Sequence, residues 1–590
     1  MIIVTDARRG APPARVERGT APSIGIDVRS LGTPWPTATT SPTPRCPIAF
    51  RPATAANVGE VFPDPVTPLT STSALWPAEV GWRQAWERMG AFELSEFPAD
   101  EFCQLGVVGG YCYLNASLIR LFGERAPGLS WQDMDAQFFG AQPGIPPYEA
   151  RPGDRSDAAE AAIGATFGWA LSVTDVEDLI ELSEHRSETV ELAKNRPSLR
   201  DLSDRQLLER YTSIVPVHQK LFCQHILTTY MATVPVGIIS AVASAVGRPD
   251  LVLPIIAGIG DVDSAAPSVA LWELSRRPAE SAEFEAGFEA FLAEFGSRGP
   301  NEWESRSPTW GTRPALALSA IDRMRAAPDS MAPATQHAAR AAEREAASAE
   351  LLGTIAGDPA THGQLAAAIA SSAAWLPGRE RSTTNNIRAI HEMRLAMREL
   401  GARLVERGVF QEIEDFGFVT IDEYEEQLED LSPLRDEIQS RRQAYHRLEE
   451  LDPPFVFVGA PDSPDTWAKR SDVRYELLGP GDTLAGMPGC SGAVEGRARV
   501  VLDSNDPSAL EPGDILVAPI TDPSWTPLFV PAGAVVVDVG APLSHAIIVS
   551  RELGIPCVIS ATGATKRIPD GAWIRVDGST GLVTVIDPPG

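Results

Sequence analysis

The apolar residues of this 590-residue chain change their period once, and that change limits what it can fold into. From about residue 75 to 450 they recur at three- and four-residue intervals, as in SDRQLLERYTSIVPVHQKLFCQHILTTYMATV and NNIRAIHEMRLAMRELGARLVERG. That spacing lines one face of an α-helix. From 485 onward come short β-branched runs instead, AVEGRARVVL, GDILVAPI, GAVVVDVG, PCVIS, AWIRVDG and LVTVI, punctuated by glycine and proline. The stretch between them, GAPDSPDTWAKRSDVRYELLGPGDT, carries Pro, Gly and Asp with little periodicity. The expected fold is multidomain: a large, mainly α-helical domain over 51–458, a linker over 459–484, and a compact α/β domain over 485–590. Residues 1–50, rich in Pro, Thr, Ala and Arg, are expected to form a disordered arm. Pro328 and Pro333 interrupt the Ala-rich stretch 326–352 and exclude one long coiled coil there.

Composition narrows the function. A net charge of −29 argues against nucleic-acid phosphates or an anionic membrane as partner, because both need clustered cations. Lysine is nearly absent: Lys194, Lys220, Lys469 and Lys566 stand against 46 arginines. Six scattered cysteines without a CxxC pair argue against a zinc site or a disulfide framework and suit a reducing, cytoplasmic setting. The N-terminus MIIVTDARRG lacks the apolar region of a signal peptide. VGIISAVASAVG (236–247) is too short to span a bilayer and is expected to be a buried helix.

One histidine stands out. In GAPLSHAIIVSRELGIPCVIS (540–560), Gly540 permits a tight turn and Ser544 is a natural N-cap, so His545 falls in the first turn of a helix that stops at Gly554. Free N–H groups and the positive dipole end gather there. They keep the imidazole neutral and nucleophilic, and they stabilise a phosphoryl group once attached. A histidine at a helix start can also merely cap or pack.

That stretch, with ATKRIPDGAWIRVDGSTGLVTVI after it and GMPGCSGAVEGRARVV and TDPSWTPLFVPAGAVVVDVGA before it, resembles the swivelling phosphohistidine domain of the phosphoenolpyruvate-utilising enzymes. The resemblance covers 485–590 and implies that His545 is phosphorylated on a ring nitrogen, swings, and passes the group on. Gly540-Ala541 replaces the family's usual Gly-Gly, and Leu543 replaces a common Thr or Met; neither removes the nucleophile. Pyruvate-handling relatives add a TIM barrel after this domain, and no such segment follows Gly590, so pyruvate is not the expected acceptor. ANVGEVFPDPVTPLTSTS (56–73), EFGSRGPNEWESRSPTW (294–310) and RGVFQEIEDFGFVTIDE (407–423) resemble the acceptor-binding region of rifampicin phosphotransferase and the large subunit of phenylphosphate synthase. An ATP-grasp domain has no counterpart in the chain, which implies a separate ATP-grasp subunit binding ATP and Mg2+.

The expected activity is thus that of the phosphocarrier and acceptor-binding subunit of a two-component, dikinase-type phosphotransferase. ATP would yield AMP and phosphate, and the acceptor would be the hydroxyl of a phenol or alkylphenol. The alternatives are a component acting on a rifamycin-like antibiotic and a carrier that only displays phosphohistidine. Arg298, in FGSRGPNEWE, suits a phosphoryl group in flight, or else a surface ion pair with Glu302. Glu302 would orient Arg298 or serve as base. His218 and His225, seven apart on one helix face, are candidate substrate-binding residues; they do not have the spacing of a close metal pair. HEMRL (391–395) lacks the second histidine of a zincin. Thr67 and Thr526 read as turn and strand-end residues. His545 is expected to be exposed to its donor, and the contacts between domains to be modest and polar.

Overall fold

The computed structural model describes residues 53–589 apart from 55, 141–144, 261, 460–461, 474, 505–509 and 543, so the expected N-terminal arm and Leu543 lie outside the described residues. Two very long helices, Asp204–Ala245 and Pro359–Glu406, form the spine of the body and pack along one another. Ser203 opens the first with a capping box, its Oγ accepting from the Gln206 N–H while the Gln206 side chain reaches back. Asp358 opens the second by accepting from Ala360 and Thr361. Trp76–Arg88 and Ile180–Lys194 lie against this pair. Aromatic residues such as Trp86, Phe122 and Trp375 fill the core between them.

Helix Asp204–Ala245 is long and apolar enough to cross a membrane, yet 56% of its most apolar window is buried inside the protein. Its end departs from expectation. Within 236–247 only Ile239 and Ala243 are buried, against Leu251, Leu351 and Leu365, while the remaining residues are partly or fully exposed. The overhang past Pro235 covers a small satellite cluster with one stripe of its surface. The prolines 328 and 333 do separate helix Ala315–Ala326 from helix Pro333–Thr354.

The helical body also holds a four-stranded antiparallel sheet in the order Leu105–Val108, Tyr111–Asn115, Ala53–Thr54, Val456–Phe457. It joins the start of the described chain to the segment that leaves the last helix of the body.

The C-terminal unit is an eight-stranded mixed sheet, in the order Thr483–Ala485, Leu582–Asp587, Trp573–Asp577, Ala493–Val500, Ile515–Ala518, Ala534–Val537, Cys557–Ile559, Met487–Cys490. The run from Ala493–Val500 to Cys557–Ile559 is parallel, and its central strands are buried at every position, as strands covered on both faces must be. Helix His545–Leu553 is the crossover between the last two parallel strands, which places its N-terminus at their carboxyl edge.

Both ends of the interdomain stretch are tied down. Arg470 N–H donates to Glu450 O and Asp452 N–H to Ala468 O, while Leu478 N–H donates to Arg567 O and Gly481 N–H to Val585 O. The apolar seam between body and C-terminal unit is larger than expected. Leu271, Trp272, Phe291 and Trp310 share one core cluster with Trp525, Leu528 and Phe529.

Candidate functional site at the junction of the two units

The loop after strand Ile515–Ala518 and the turn after strand Ala534–Val537 lie side by side because their strands are parallel neighbours. The first carries Thr521, Asp522 and Thr526; the second leads into His545. His545 Nε2 lies 3.1 Å from Thr526 Oγ1, and its Nδ1 lies 3.3 Å from Thr521 Oγ1. The Phe529 ring stands edge-on to the imidazole at 5.8 Å. Ser544 has N-cap geometry, but its hydroxyl makes no capping bond.

His545 is 9% exposed, packed against Thr521, Thr526 and Phe529 and within the field of Arg298 and Arg379 of the body. The expected exposure to a donor therefore does not hold in this arrangement. Burial pushes its pKa down to about 3, helped by the positive charges of Arg298 and Arg379, so the ring is neutral and nucleophilic at physiological pH.

The facing surface is the loop 296–311, which folds back on itself. Trp310 N–H donates to Arg298 O and Gly311 N–H to Gly296 O, both at 2.8 Å. The buried Arg394 pins the loop to helix Pro359–Glu406 by donating to the carbonyls of Glu302, Glu304 and Ser305. Glu304 ties it to the other side, accepting from Thr67 Oγ1 at 2.6 Å and Thr70 Oγ1 at 2.7 Å. Thr67 is thus an N-cap and an anchor, in keeping with a turn residue.

Arg298 and Glu302 form an ion pair at 3.0 Å, with side chains 3% and 1% exposed. This is no surface pair on a helix but a buried pair in a loop. Arg298 Nη1 donates to Thr384 Oγ1 at 3.1 Å, and Nη2 has no hydrogen-bond partner among the described residues. Burial pushes the Glu302 carboxyl up to about 7 against the pull of Arg298, and the negative charge of Asp522 adds to the rise. Asp522 accepts the Asn301 N–H across the junction at 2.9 Å.

His225 Nδ1 lies 3.0 Å from Ser382 Oγ, and its ring is 5.8 Å from Trp303, which in turn is 5.9 Å from Phe222. Burial and the charge of Arg379 push its pKa down to about 3. Arg379 therefore acts on both His225 and His545. His218 is packed instead: its Nε2–H donates to Ala74 O at 3.2 Å, and burial pushes its pKa to about 4. The structure gathers His545, Arg298 and Glu302, sets His225 within the field of Arg379, and leaves His218 in a structural role.

Thr521, Asp522, Asn301, Arg379 and Thr384 escaped sequence reasoning, and Thr526 is no mere strand-end residue. One signal was available. The run RERSTTNN follows Pro377-Gly378 inside a helix, and Glu380, Arg381, Ser382, Thr384, Asn385 and Asn386 are all buried, a polar face that only a functional or networked site explains. Among the described residues no three His, Cys, Asp or Glu side chains are grouped to hold a metal ion. Glu302 is paired with Arg298, and Asp522 accepts from Asn301 and Ser524.

Residues 510–581 match the mobile domain of PEP-utilising enzymes, and residues 225–380 match the fourth domain of rifampicin phosphotransferase. The first match contains Thr521 to His545, the second His225, Arg298, Glu302 and Arg379. Among curated relatives, an uncharacterised protein of Mycobacterium tuberculosis is 35% identical over 53% of this chain and 33% of its own length. Rifampicin phosphotransferase of Streptomyces sviceus is 30% identical over 58% of this chain and 38% of its own length. That of Bacillus cereus is 39% identical over 31% of this chain and 20% of its own. The chain thus matches only a minor part of each relative's length. It joins a mobile domain of the PEP-utilising type to a helical region similar to the fourth domain of rifampicin phosphotransferase.

Proposed function

We propose that the chain is the phosphocarrier and acceptor-binding component of an ATP-dependent phosphotransferase, with His545 as carrier. The observation that carries this reading is the burial of a neutral His545 at the junction, opposite a guanidinium with an unengaged Nη2. ATP and Mg2+ would be held by a separate ATP-grasp partner, which loads His545 and releases AMP and phosphate. The C-terminal unit then swings on residues 471–477, the span between its two anchored ends, and docks as seen here.

In the docked state a hydroxyl attacks phosphorus in line with the departing ring nitrogen. Arg298 Nη2 is free to take a phosphoryl oxygen, and Thr384 and Glu302 hold the guanidinium in place. Glu302 accepts the hydroxyl proton; a carboxyl poised near 7 suits that task. His225, Trp303 and Phe222 pack as an aromatic cluster on the body, and an acceptor that is itself a small aromatic alcohol, a phenol or alkylphenol, is the reading we favour. A large hydroxylated antibiotic is the second reading, favoured by the match of residues 225–380 to the rifampicin phosphotransferase domain.

Chain carrying phosphohistidine, mixed in single turnover with phenol, an alkylphenol or rifampicin, separates these readings by 31P NMR of the product. Phenyl phosphate supports the first and phosphorylated rifampicin the second. Discharge to neither would leave a carrier that only displays the group.

A further inference from the structure

The amide of Asn301 and the carboxylate of Asp522 meet across the junction at 2.9 Å. Asn301 has a φ of 47°, a region costly for a residue with a side chain, and it immediately precedes Glu302. Its N–H, on the peptide between Pro300 and Asn301 just before Glu302, is held by an acceptor on the other unit. Asp522 is itself rigid: its Oδ1 accepts from the N–H of Ser524 at 2.8 Å and from Ser524 Oγ at 2.5 Å. The mobile unit therefore brings a carboxyl group to the neighbourhood of Glu302 each time it docks. Burial raises the pKa of that carboxyl, and the hydrogen bonds of Ser524 and Asn301 and the charge of Arg298 favour its ionised form.

We infer that Asp522 is a positioning residue for Glu302, carried in on the same unit as His545, so that the proton acceptor of the body is set for its task only while the phosphohistidine is present. The inference rests on the reading of Glu302 as that acceptor. In the step concerned, the acceptor oxygen forms a bond to phosphorus while the P–N bond breaks. Its electron pair returns to the ring nitrogen, and the other ring nitrogen keeps its proton. The imidazole leaves neutral, and the hydroxyl proton passes to the Glu302 carboxylate.

The charges that face Glu302 make the control one-sided. Arg298 on its own loop, Arg394 from helix Pro359–Glu406 and the Gly299 N–H all favour its ionised form. Burial and Asp522 oppose them, and the Asp522 charge leaves with the mobile unit. Undocked, Glu302 drops toward the range of an ordinary carboxylate and becomes a weak base, and Asn301 loses the acceptor of its N–H. A hydroxyl bound to the body alone then meets no matched base.

Two variants of the full-length chain test this, read by infrared titration of the Glu302 carboxyl, assigned by its loss in Glu302→Gln. Asp522→Asn keeps an oxygen for Asn301 and removes the charge; the Glu302 transition should move to lower pH by about half a unit or more. Glu552→Gln combined with Arg340→Ala leaves Asp522 intact but cuts the contacts that hold the units together elsewhere. Once solution scattering confirms an opened chain, the same fall is expected. A Glu302 transition unmoved by Asp522→Asn, or one that stays near 7 in the opened chain, overturns the inference. If His545 were not the carrier, the failure would show as absence of phosphoryl on His545 and would leave these titrations unchanged.

Discussion

Nε2 of His545 and Oγ1 of Thr526 lie 3.1 Å apart, and Nδ1 faces Thr521 Oγ1 at 3.3 Å, so both ring nitrogens are met by hydroxyls of one loop. A hydroxyl can give or take a proton, so the pair can hold a neutral ring and keep one nitrogen available as nucleophile. Thr526→Val keeps the shape and deletes that partner. It should slow phosphoryl transfer through His545 about fivefold, the equivalent of the ~1 kcal/mol of one hydrogen bond. Thr526→Ser should recover most of the rate in the same single-turnover measurement.

Arg298→Ala should cut transfer to the acceptor by about 10²–10³-fold, the scale of one lost charge-stabilising donor. It should also destabilise the chain by ~3 kcal/mol, since Glu302 would stay buried without its partner. Replacing both Arg298 and Glu302 by Met should recover much of the stability and none of the transfer. Chemical denaturation alongside product formation checks both halves.

The buried titratable groups give stability a defined pH dependence. Folding raises the Glu302 pKa from 4.5 to about 7, so between those values the folded chain keeps a proton that the unfolded chain has released. That contribution is present at low pH and is lost as pH rises through the window. His218, His225 and His545 have depressed values of about 4, 3 and 3, against 6.5 unfolded. Their contribution is lost as pH falls below about 6.5. Glu302 thus offsets part of the acid sensitivity of the histidines. Glu302→Gln should lose more stability between pH 7 and 5 than the wild type, measured as denaturation midpoints across that range.

The docked arrangement has a latch away from His545. Glu552, on helix His545–Leu553, accepts the N–H groups of Ile259 and Gly260 at 3.3 and 3.2 Å, and Arg340 donates to Gly554 O at 2.8 Å. Gly554 has a φ of 67° and lies so close to Arg340 that a Cβ would sit 2.6 Å from its Nε. Gly554→Ala should therefore both strain the helix end and push Arg340 away. Gly140, at a φ of 64°, comes as close to Gly540 O. Solution scattering should show a larger radius of gyration for Gly554→Ala and for Gly140→Ala, with the acceptor step slowed.

Much of the C-terminal unit was legible because its strands are short, β-branched and separated by turn residues, and because His545 opens an apolar helix behind a glycine turn. The loop Thr521–Thr526 was not, since its role depends on strands Ile515–Ala518 and Ala534–Val537 being parallel neighbours, a long-range pairing that no local pattern carries. Arg298 and Glu302 were visible as a pair four apart, but their burial follows from Arg394 and Thr67, both distant in sequence. The small sheet of the body escaped for a similar reason. Two of its strands are only two residues long and pair across some four hundred residues of helix. The broad apolar seam between units defied the expectation of a modest polar contact, because Trp272 and Trp310 read equally well as core of the body alone.

Mapping the site of phosphorylation decides whether His545 carries the phosphoryl group. The full-length chain is incubated with ATP and an extract of the organism that makes it, recovered under alkaline conditions, and mapped by mass spectrometry. One acid-labile phosphoryl group is expected on the peptide that contains His545, absent from His545→Ala. Phosphate on any other residue, an acid-stable linkage, or none on the wild-type chain would contradict it.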